Sequence, residues 1–339
     1  MSEKQYVGID LHLRRSVIVR MNEAGERLGC TRIANDPVEL AAELAKAGPD
    51  PEVVLEATYS WYWAVDVLND YGATVHLAHP LGVKGFGYRR VKNDERDASD
   101  LCDLLRMGRL PEAWAAPPEV RELRELVRQR QKLVQRRSGI KAQVHAVLGK
   151  LGIHVPVSDL FGVAGRALLD KAPLGPLYGE RVAALVRLIE AHDAEITSID
   201  RTLSAALADD PGYRAIQVIP GVGPILGAIF VAEIGDVSRF PSPGHLTSWA
   251  GLTPRHRESD ATVRRGRITK QGSPIVRWAA VEAAQNAPRA TFLKEDYRRI
   301  VERRGCRPIA KVAVARKIVT LVFYGLRDGE IRCLQEAAA

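Results

Sequence analysis

The chain is 339 residues long, and 46% of its residues are hydrophobic, which is enough for two or three domains with their own cores. Its net charge of +8 favours a polyanionic partner such as nucleic acid, although a basic soluble enzyme without such a partner has the same balance. The four cysteines are far apart and form no CxxC pair, which argues against a zinc site and a disulfide framework. No apolar signal segment opens the chain, so we expect a cytoplasmic protein without a membrane span.

The first hundred residues alternate between strand and helix patterns. Three apolar runs separated by short turns predict an antiparallel meander at 5–11, 16–22 and 27–34. A helix, a strand, a helix, a strand and a further helix are predicted at 38–47, 53–56, 61–71, 74–78 and 94–107. This order matches the ribonuclease H fold, an α/β architecture with a mixed sheet, and we assign it to residues 1–112.

From residue 117 onwards, apolar residues repeat at three- and four-residue steps. Two such runs, at 123–151 and 182–203, predict long helices that pack together or dimerise as a coiled coil within residues 113–210. We expect a third, mostly helical domain at 211–339, which opens with a Pro-Gly turn between two short buried helices. One of its helices is predicted to begin at Ser273, because Ser followed by Pro is typical of a helix start, and another to run from about 308 to 324.

Carboxylates stand where apolar residues would be expected. Asp10 follows a Val-Gly-Ile run and Glu56 follows Val-Val-Leu, and an unpaired carboxylate in such a strand is costly unless a cation neutralises it. Asp10 could instead be a strand-end residue that makes a turn. Asp94 and Asp97 share one face of a helix, but Asp100 lies equally far from Asp97, and each could be a solvated carboxylate. Together these groups would form an oxygen site suited to Mg²⁺ or Mn²⁺ and to phosphodiester cleavage.

Three segments carry a family resemblance, namely 7–10, 55–58 and 92–98. They resemble the DEDD-type insertion-sequence transposases, whose N-terminal domain is similar to the Holliday-junction resolvase RuvC and which are related to Piv-type DNA invertases. The third motif of that family reads Lys-Thr-Asp-x-x-Asp-Ala, and Asn93 replaces the Thr here. The resemblance implies that the helix supplies Asp94 and Asp97, rather than Asp100, to a site for Mg²⁺, with Mn²⁺ as the other possible ion.

The C-terminal region contains residue types that suit phosphate contacts. Gly221 and Gly223 lie in a Pro-Gly-Val-Gly-Pro segment that looks like a helix-hairpin-helix turn, whose N–H groups favour phosphate oxygens. A Pro-Gly turn between buried helices is the alternative. Further on, seven basic residues lie between 255 and 277 against two acidic ones, a cluster that suits DNA phosphates but also a solvated loop. The predicted nucleic-acid-binding side chains are Arg255, Arg257, Arg264, Arg265, Arg267 and Lys270.

A serine nucleophile is predicted in the same region. From residue chemistry alone Ser248, Ser259 and Ser273 are all candidates, although Ser273 is better explained as a helix cap. The segment from Gly251 to Ser259 resembles the C-terminal domain of the same transposase family. That resemblance places the nucleophile at Ser259, where the family forms a covalent phosphoserine link to DNA.

The predicted central helix is also rich in basic residues, with eight Lys or Arg against three Glu from 119 to 141. Its arginines could follow a nucleic-acid backbone or form the solvent face of a coiled coil. The residues considered for these roles are Arg121, Arg124, Arg128, Arg136 and Arg137.

The family resemblance implies a transposase that cuts and rejoins donor and target DNA through a phosphoserine intermediate. It further implies guidance by a structured noncoding bridge RNA, a nucleoid-associated location, and a homo-oligomer, dimer or tetramer, in which Ser259 of one subunit meets the acidic site of another. Two other classes stay open. One is a structure-selective nuclease that uses metal-activated water without a covalent intermediate, and the other is a non-catalytic nucleic-acid-binding relic.

Overall fold

The computed structural model describes residues 4–86, 93–259 and 262–335, together with all their side chains except those of Arg257, Val263, Arg265 and Gln335. The chain divides into two compact units, 1–116 and 117–339. Within the described residues, no helix combines the length and apolar content that crossing a bilayer requires. The finer division of the second unit at residue 210 stays a prediction.

The N-terminal unit is a mixed six-stranded sheet with helices on both faces. Its strands are β1 (Gln5–Leu11), β2 (Arg15–Asn22), β3 (Arg27–Ala34), β4 (Glu52–Glu56), β5 (Thr74–Ala78) and β6 (Glu112–Ala113). Its helices are α1 (Pro37–Ala45), α2 (Trp61–Asp70), α3 (Pro80–Val83) and α4 (Asp94–Arg106). The spatial order is β3-β2-β1-β4-β5-β6, with β1, β4 and β5 parallel and the other pairings antiparallel. The predicted α/β architecture with a mixed sheet is therefore confirmed, and β6 and α3 are additions to it.

The two faces of this sheet bury different helices, because side chains alternate along each strand. Val7 and Ile9 of β1 pack in one core with Leu40 of α1 and Leu68 of α2. On the opposite face, Val54 of β4 packs with leucines of α4. Even-numbered residues of β1 and β4 therefore point to the face of the sheet that α4 covers. Asp10 and Glu56 are even-numbered, so their side chains belong to that face.

The C-terminal unit is mostly helical, as predicted. Its α-helices among the described residues are α5 (Pro118–Lys150), α6 (Val163–Lys171), α7 (Gly175–Ala206), α8 (Pro211–Ile216), α9 (Pro224–Ile234), α10 (Pro243–Trp249), α11 (Pro274–Asn286), α12 (Phe292–Arg304), α13 (Arg307–Asp328) and α14 (Arg332–Gln335). Val237–Arg239 form a short 3₁₀ helix. Strands β7 (Pro254–Ser259) and β8 (Thr262–Ile268) form a separate antiparallel pair.

The two long helices α5 and α7 pack along each other. On α7, six apolar residues from Val182 to Leu203 are buried, and they are the ones whose spacing predicted the helix. The α5 end of the pair packs with α7 through Val144 and Leu148, in a core that also includes Leu160. This packing accounts for the apolar spacing of both helices within one chain, and the coiled coil itself stays a prediction.

The β7–β8 hairpin is absent from the predicted elements. Most residues of 255–267 are basic or otherwise polar, so the apolar alternation that normally marks a strand is missing. The pairing comes instead from backbone hydrogen bonding in the register Arg257–Arg264 and Ser259–Thr262. A basic segment that resembled a solvated loop is therefore an ordered two-stranded element.

Candidate functional site

Asp10 and Glu56 lie at equivalent positions on adjacent parallel strands. The last registered pair of β1 and β4 is Ile9 with Leu55, and the next residue on each strand is the carboxylate. Both residues point to the face of the sheet that α4 covers, and both side chains are half-buried. The fold therefore brings these two predicted site residues to the same edge and the same face of the sheet.

A close helix–strand contact positions the other acidic residues. A Cβ atom on Gly8 would lie 2.1 Å from the carbonyl oxygen of Ala98, so only glycine lets α4 pack this closely on β1. Asn93 caps the helix and accepts a hydrogen bond from the N–H of Glu95 at 3.1 Å. Asp94, the first residue of α4, is thereby held over the end of β1.

His12 joins the two elements at this point. Its Nε2 atom lies 3.1 Å from Oδ2 of Asp10 and 3.4 Å from Oδ1 of Asp94. One ligand atom from each of these three residues lies within 4.8 Å of the others, and in the described part of the chain they form the one group of this kind. His12 is not among the predicted site residues, although its position two residues after a strand carboxylate is a signal for it.

Glu56 and Asp97 stand outside that three-residue group, which is defined only on the described residues. Asp97 is half-buried and precedes the buried Leu101 by one helical turn, so it projects from the side of α4 that faces the sheet. Asp100 is exposed. The helix therefore directs Asp94 and Asp97 toward the sheet and Asp100 toward solvent.

Cys102 belongs to the packing of this region. Its thiol donates a hydrogen bond to the carbonyl oxygen of Tyr6 at 3.2 Å. Burial raises the pKa of Cys102 to about 12. The residue is therefore a neutral core thiol between β1 and α4, because the thiolate that a metal would bind is strongly disfavoured.

In the second unit, the predicted phosphate-binding turn has a packing role. Gly221 has a φ of +93°, and a Cβ atom there would lie 2.2 Å from the carbonyl oxygen of Ala283 on α11. Gly223 has no neighbour within 4 Å of a Cβ atom and stands at the N-terminal end of α9. Close packing against α11 thus explains Gly221, and phosphate binding by either glycine stays a prediction.

Ser259 is the last residue of β7 and is exposed. Among the described residues, none forms a hydrogen bond with its hydroxyl group. The side chains of Arg255, Arg264 and Arg267 are also exposed on the hairpin, and that of Lys270 is exposed just after it. Arg257 and Arg265 belong to the strands, but their side chains lie outside the described residues.

The base of the hairpin is tightly packed. Gly272 has a φ of +72°, and a Cβ atom there would lie 1.7 Å from the carbonyl oxygen of Trp249. Gly251 has a φ of +70°, and a Cβ atom there would lie 2.2 Å from the carbonyl oxygen of Gln271. Arg277 of α11 donates hydrogen bonds to the carbonyl oxygens of Ala250 at 2.9 Å and Gln271 at 3.2 Å. The segments that flank the hairpin are therefore packed closely against each other and against Arg277 of α11.

Buried charge elsewhere in this unit corrects the view of the central arginines. Glu233 of α9 is 3% exposed, accepts a hydrogen bond from Arg128 at 2.8 Å, and accepts another from the hydroxyl of Ser273 at 3.2 Å. Arg124 donates to the carbonyl oxygens of Ala232 and Glu233, both at 2.9 Å. Arg121 is only 5% exposed. Arg124 and Arg128 therefore join α5 to α9, whereas Arg136 is exposed and its contact with a nucleic-acid backbone stays a prediction.

The predicted cap at Ser273 is confirmed. Its hydroxyl accepts a hydrogen bond from the N–H of Val276 at 3.3 Å, and Pro274 follows at the first helical position. Ser248, the other alternative nucleophile, is exposed on α10, where it accepts a hydrogen bond from the hydroxyl of Thr253 at 3.5 Å. Two exposed serines, Ser248 and Ser259, therefore remain from the three candidates.

Comparison with known proteins supplies the identity that geometry alone does not. Residues 7–152 match a transposase model named for the DEDD transposases of IS110, and residues 213–298 match a model described as the transposase IS116/IS110/IS902 family. The chain is 28% identical to a probable family 20 transposase of Pseudomonas aeruginosa, over 80% of this chain and 82% of that protein.

Two further relatives extend over most of the chain. An uncharacterized 44.8 kDa protein of insertion element IS116 from Streptomyces clavuligerus is 26% identical over 96% of this chain and 95% of its own length. The transposase of insertion sequence IS1328 from Yersinia enterocolitica is 26% identical over 82% of each chain. With a DEDD domain at its N-terminal end and the IS116/IS110/IS902 module behind it, this chain belongs to the IS110/IS116 family of transposases and is an enzyme that cuts and rejoins DNA.

Proposed function

We propose that this transposase uses a divalent metal site formed by Asp10, Glu56, Asp94 and Asp97, together with Ser259 as its nucleophile. The observation that carries the proposal is the approach of Asp10 and Asp94 to a common atom, Nε2 of His12, at 3.1 and 3.4 Å. Two half-buried carboxylates from separate elements that converge on one point offer oxygen ligands to a cation bound there.

The donor set fits a hard divalent cation. Carboxylate oxygens are the ligands that Mg²⁺ and Mn²⁺ prefer. Glu56 lies beside Asp10, because each is the residue after the last registered pair of β1 and β4. Asp97 projects from the sheet-facing side of α4. In bound form, divalent ions supply the positive charge that activates an attacking oxygen and stabilises a leaving one. The four carboxylates would hold that charge at one edge of the sheet.

Ser259 would act by covalent catalysis. Its Oγ atom attacks a DNA phosphorus, the new Oγ–P bond forms as the bond from phosphorus to one bridging DNA oxygen breaks, and the proton of the hydroxyl passes to a base while the leaving oxygen takes up a proton. A DNA hydroxyl then attacks the phosphoserine and releases the serine, which rejoins the strands. The exposed side chains of Arg255 and Arg264 on the same hairpin would offset the charge on the phosphate oxygens.

The partners follow from the same proposal. DNA is the substrate, and we propose that a structured noncoding RNA selects donor and target and that the chain works as a dimer or tetramer. The exposed hydroxyl of Ser259, without a hydrogen-bond partner among the described residues, supports a nucleophile whose activating groups come from another copy or from the bound nucleic acid.

The deciding experiment compares two serines of the second unit. The full-length protein, with the RNA that copurifies with it, is incubated with Mg²⁺ and DNA carrying the ends of its own insertion element. Ser259→Ala should abolish the covalent protein–DNA adduct on a denaturing gel and lower strand exchange roughly a thousand-fold or more. Ser248→Ala, which removes the hydroxyl of another exposed serine, should behave like the wild type.

Other results would assign the protein differently. If Ser259→Ala cuts DNA at the wild-type rate and neither protein forms an adduct, the enzyme is a metal-dependent nuclease that uses water. If Ser248→Ala alone removes the adduct, the nucleophile lies on α10. Undiminished cutting by Asp10→Asn in Mg²⁺ would remove the metal site from the mechanism.

A further inference from the structure

We infer that His12 is a metal ligand, so that the site combines one nitrogen with its carboxylate oxygens and binds Mn²⁺ more tightly than Mg²⁺. The inference rests on the proposed metal site and adds a residue and a metal preference to it. Nε2 of His12, Oδ2 of Asp10 and Oδ1 of Asp94 converge from a turn, a strand and a helix.

The spacing of these atoms suits a shared ion. In an octahedral site with bonds of roughly 2.1 Å, neighbouring ligand atoms lie about 3 Å apart. The two distances from Nε2 of His12, 3.1 Å to Oδ2 of Asp10 and 3.4 Å to Oδ1 of Asp94, are close to that spacing. An ion could therefore bind all three atoms with only small side-chain shifts.

The backbone of His12 is held for this role. The side-chain amide of Asn35 donates a hydrogen bond to the carbonyl oxygen of His12 at 2.6 Å, and the hydroxyl of Ser16 donates to the amide oxygen of Asn35 at 2.7 Å. Ser16 is only 1% exposed, and the N–H of His12 donates to the carbonyl oxygen of Arg15 at 3.2 Å. The turn after β1 is thus fixed to β2 and to the link between β3 and α1, which limits the positions that the imidazole can reach.

A different role for His12 predicts the opposite result. If the imidazole is a cation that takes the place of a metal between the two carboxylates, its removal should leave metal affinity unchanged or raise it. If it is a ligand, its removal should lower that affinity. Metal preference separates the roles further, because Mg²⁺ favours oxygen ligands whereas imidazole suits transition metals.

The experiment measures metal binding rather than turnover. The full-length wild type, His12→Gln, Asp10→Asn and His76→Gln are titrated with Mn²⁺ and with Mg²⁺ by calorimetry. Pulsed electron paramagnetic resonance on the Mn²⁺ samples then looks for coupling to a ¹⁴N nucleus. His76 is the matched control, because its ring also lies near two carboxylates, 3.2 Å from Glu112 and 3.7 Å from Glu52, but belongs to no three-ligand group among the described residues.

We expect ¹⁴N coupling in the wild type and in His76→Gln, and none in His12→Gln. The dissociation constant for Mn²⁺ should rise roughly 10- to 100-fold in His12→Gln, and the preference for Mn²⁺ over Mg²⁺ should shrink by a similar factor. Circular dichroism melts of each variant check that the fold is intact.

Failure of the inference can be told apart from failure of the metal site. One outcome keeps the four-carboxylate site but shows that His12 is no ligand. In that outcome Asp10→Asn loses Mn²⁺, His12→Gln binds it as tightly as the wild type, and neither the wild type nor His12→Gln shows ¹⁴N coupling. If the wild type binds no Mn²⁺ at millimolar concentration, or Asp10→Asn binds it as well as the wild type, both the proposed metal site and the inference are wrong.

Discussion

The acidic site and the serine hairpin are assembled in different ways. Asp10 and Asp94 come from a central strand and from the first turn of a helix that packs on it through Gly8, so their positions follow from the core of the N-terminal unit. Ser259 stands at the exposed end of a two-stranded hairpin, and only the base of that hairpin is closely packed. The contrast is what the proposed function requires, in which the acidic site is preformed and other molecules supply the groups that activate Ser259.

The largest expected effect tests the acidic half of this comparison. Asp94→Asn removes the charge of a carboxylate that lies 3.4 Å from His12, whereas Asp100→Asn makes the same change on the exposed side of the same helix. Strand cleavage in Mg²⁺ should fall roughly 100- to 1000-fold for Asp94→Asn and change less than about twofold for Asp100→Asn. Cleavage rates on labelled DNA ends provide the measurement.

Two other results would change the assignment of the site residues on α4. Comparable losses in the two variants would mean that the exposed side of α4 also takes part, and a loss confined to Asp100→Asn would exclude the inferred orientation of the helix. Both substitutions keep the side-chain size, so equal melting temperatures are expected and rule out unfolding as the cause.

The acidic half was also the more predictable from sequence. The apolar runs of β1 and β4 place Asp10 and Glu56 at strand ends, so these two positions follow from local rules. The helix period left the choice among the aspartates of α4 open, and only the family resemblance favoured Asp94 and Asp97. The contribution of His12 does not follow from local rules, since a histidine in a turn looks like an ordinary polar residue until the sheet brings it to Asp94. Only the tertiary packing of α4 on β1 brings these groups together.

The second prediction tests whether the hairpin depends on its base. Gly272→Ala places a methyl group 1.7 Å from the carbonyl oxygen of Trp249 at a φ of +72°, so it should destabilise the C-terminal unit by roughly 1–3 kcal/mol. Gly266→Ala, in β8 of the same hairpin, meets its nearest atom at 3.8 Å and should cost much less. Thermal melts followed by circular dichroism give the two changes.

Adduct formation gives this test a functional readout. The base orients the strand that ends at Ser259. Gly272→Ala should therefore lower the yield of the protein–DNA adduct even when the assay is run well below the melting temperature of this variant, while Gly266→Ala should not lower it. An adduct yield in Gly272→Ala equal to that of the wild type would show that the serine needs no fixed base, and would sharpen the contrast with the acidic site.

The hairpin was hard to predict for an electrostatic reason. Its basic and polar residues leave no apolar alternation to mark a strand, and the arginines of α5 suggested a nucleic-acid surface although Arg124 and Arg128 bond to α9. Arg124 donates to a carbonyl oxygen at the end of α9, and Arg128 donates to the buried carboxylate of Glu233. Both partners lie more than 100 positions away in the chain. Composition therefore shows that a segment is basic, whereas only the fold shows which arginines are engaged within the protein.

The smallest expected effect separates these two kinds of arginine. Arg255 is exposed on the hairpin, so Arg255→Ala should weaken DNA binding only a few-fold and reduce the slope of log affinity against log salt by about one. Arg187→Ala, an exposed arginine paired with Glu180 on α7, is the matched control and should leave the slope unchanged. Fluorescence anisotropy at several salt concentrations measures both. An unchanged slope in Arg255→Ala would mean that the charge of this residue does not meet phosphate, and the hairpin would then present its serine to DNA without the help of that arginine.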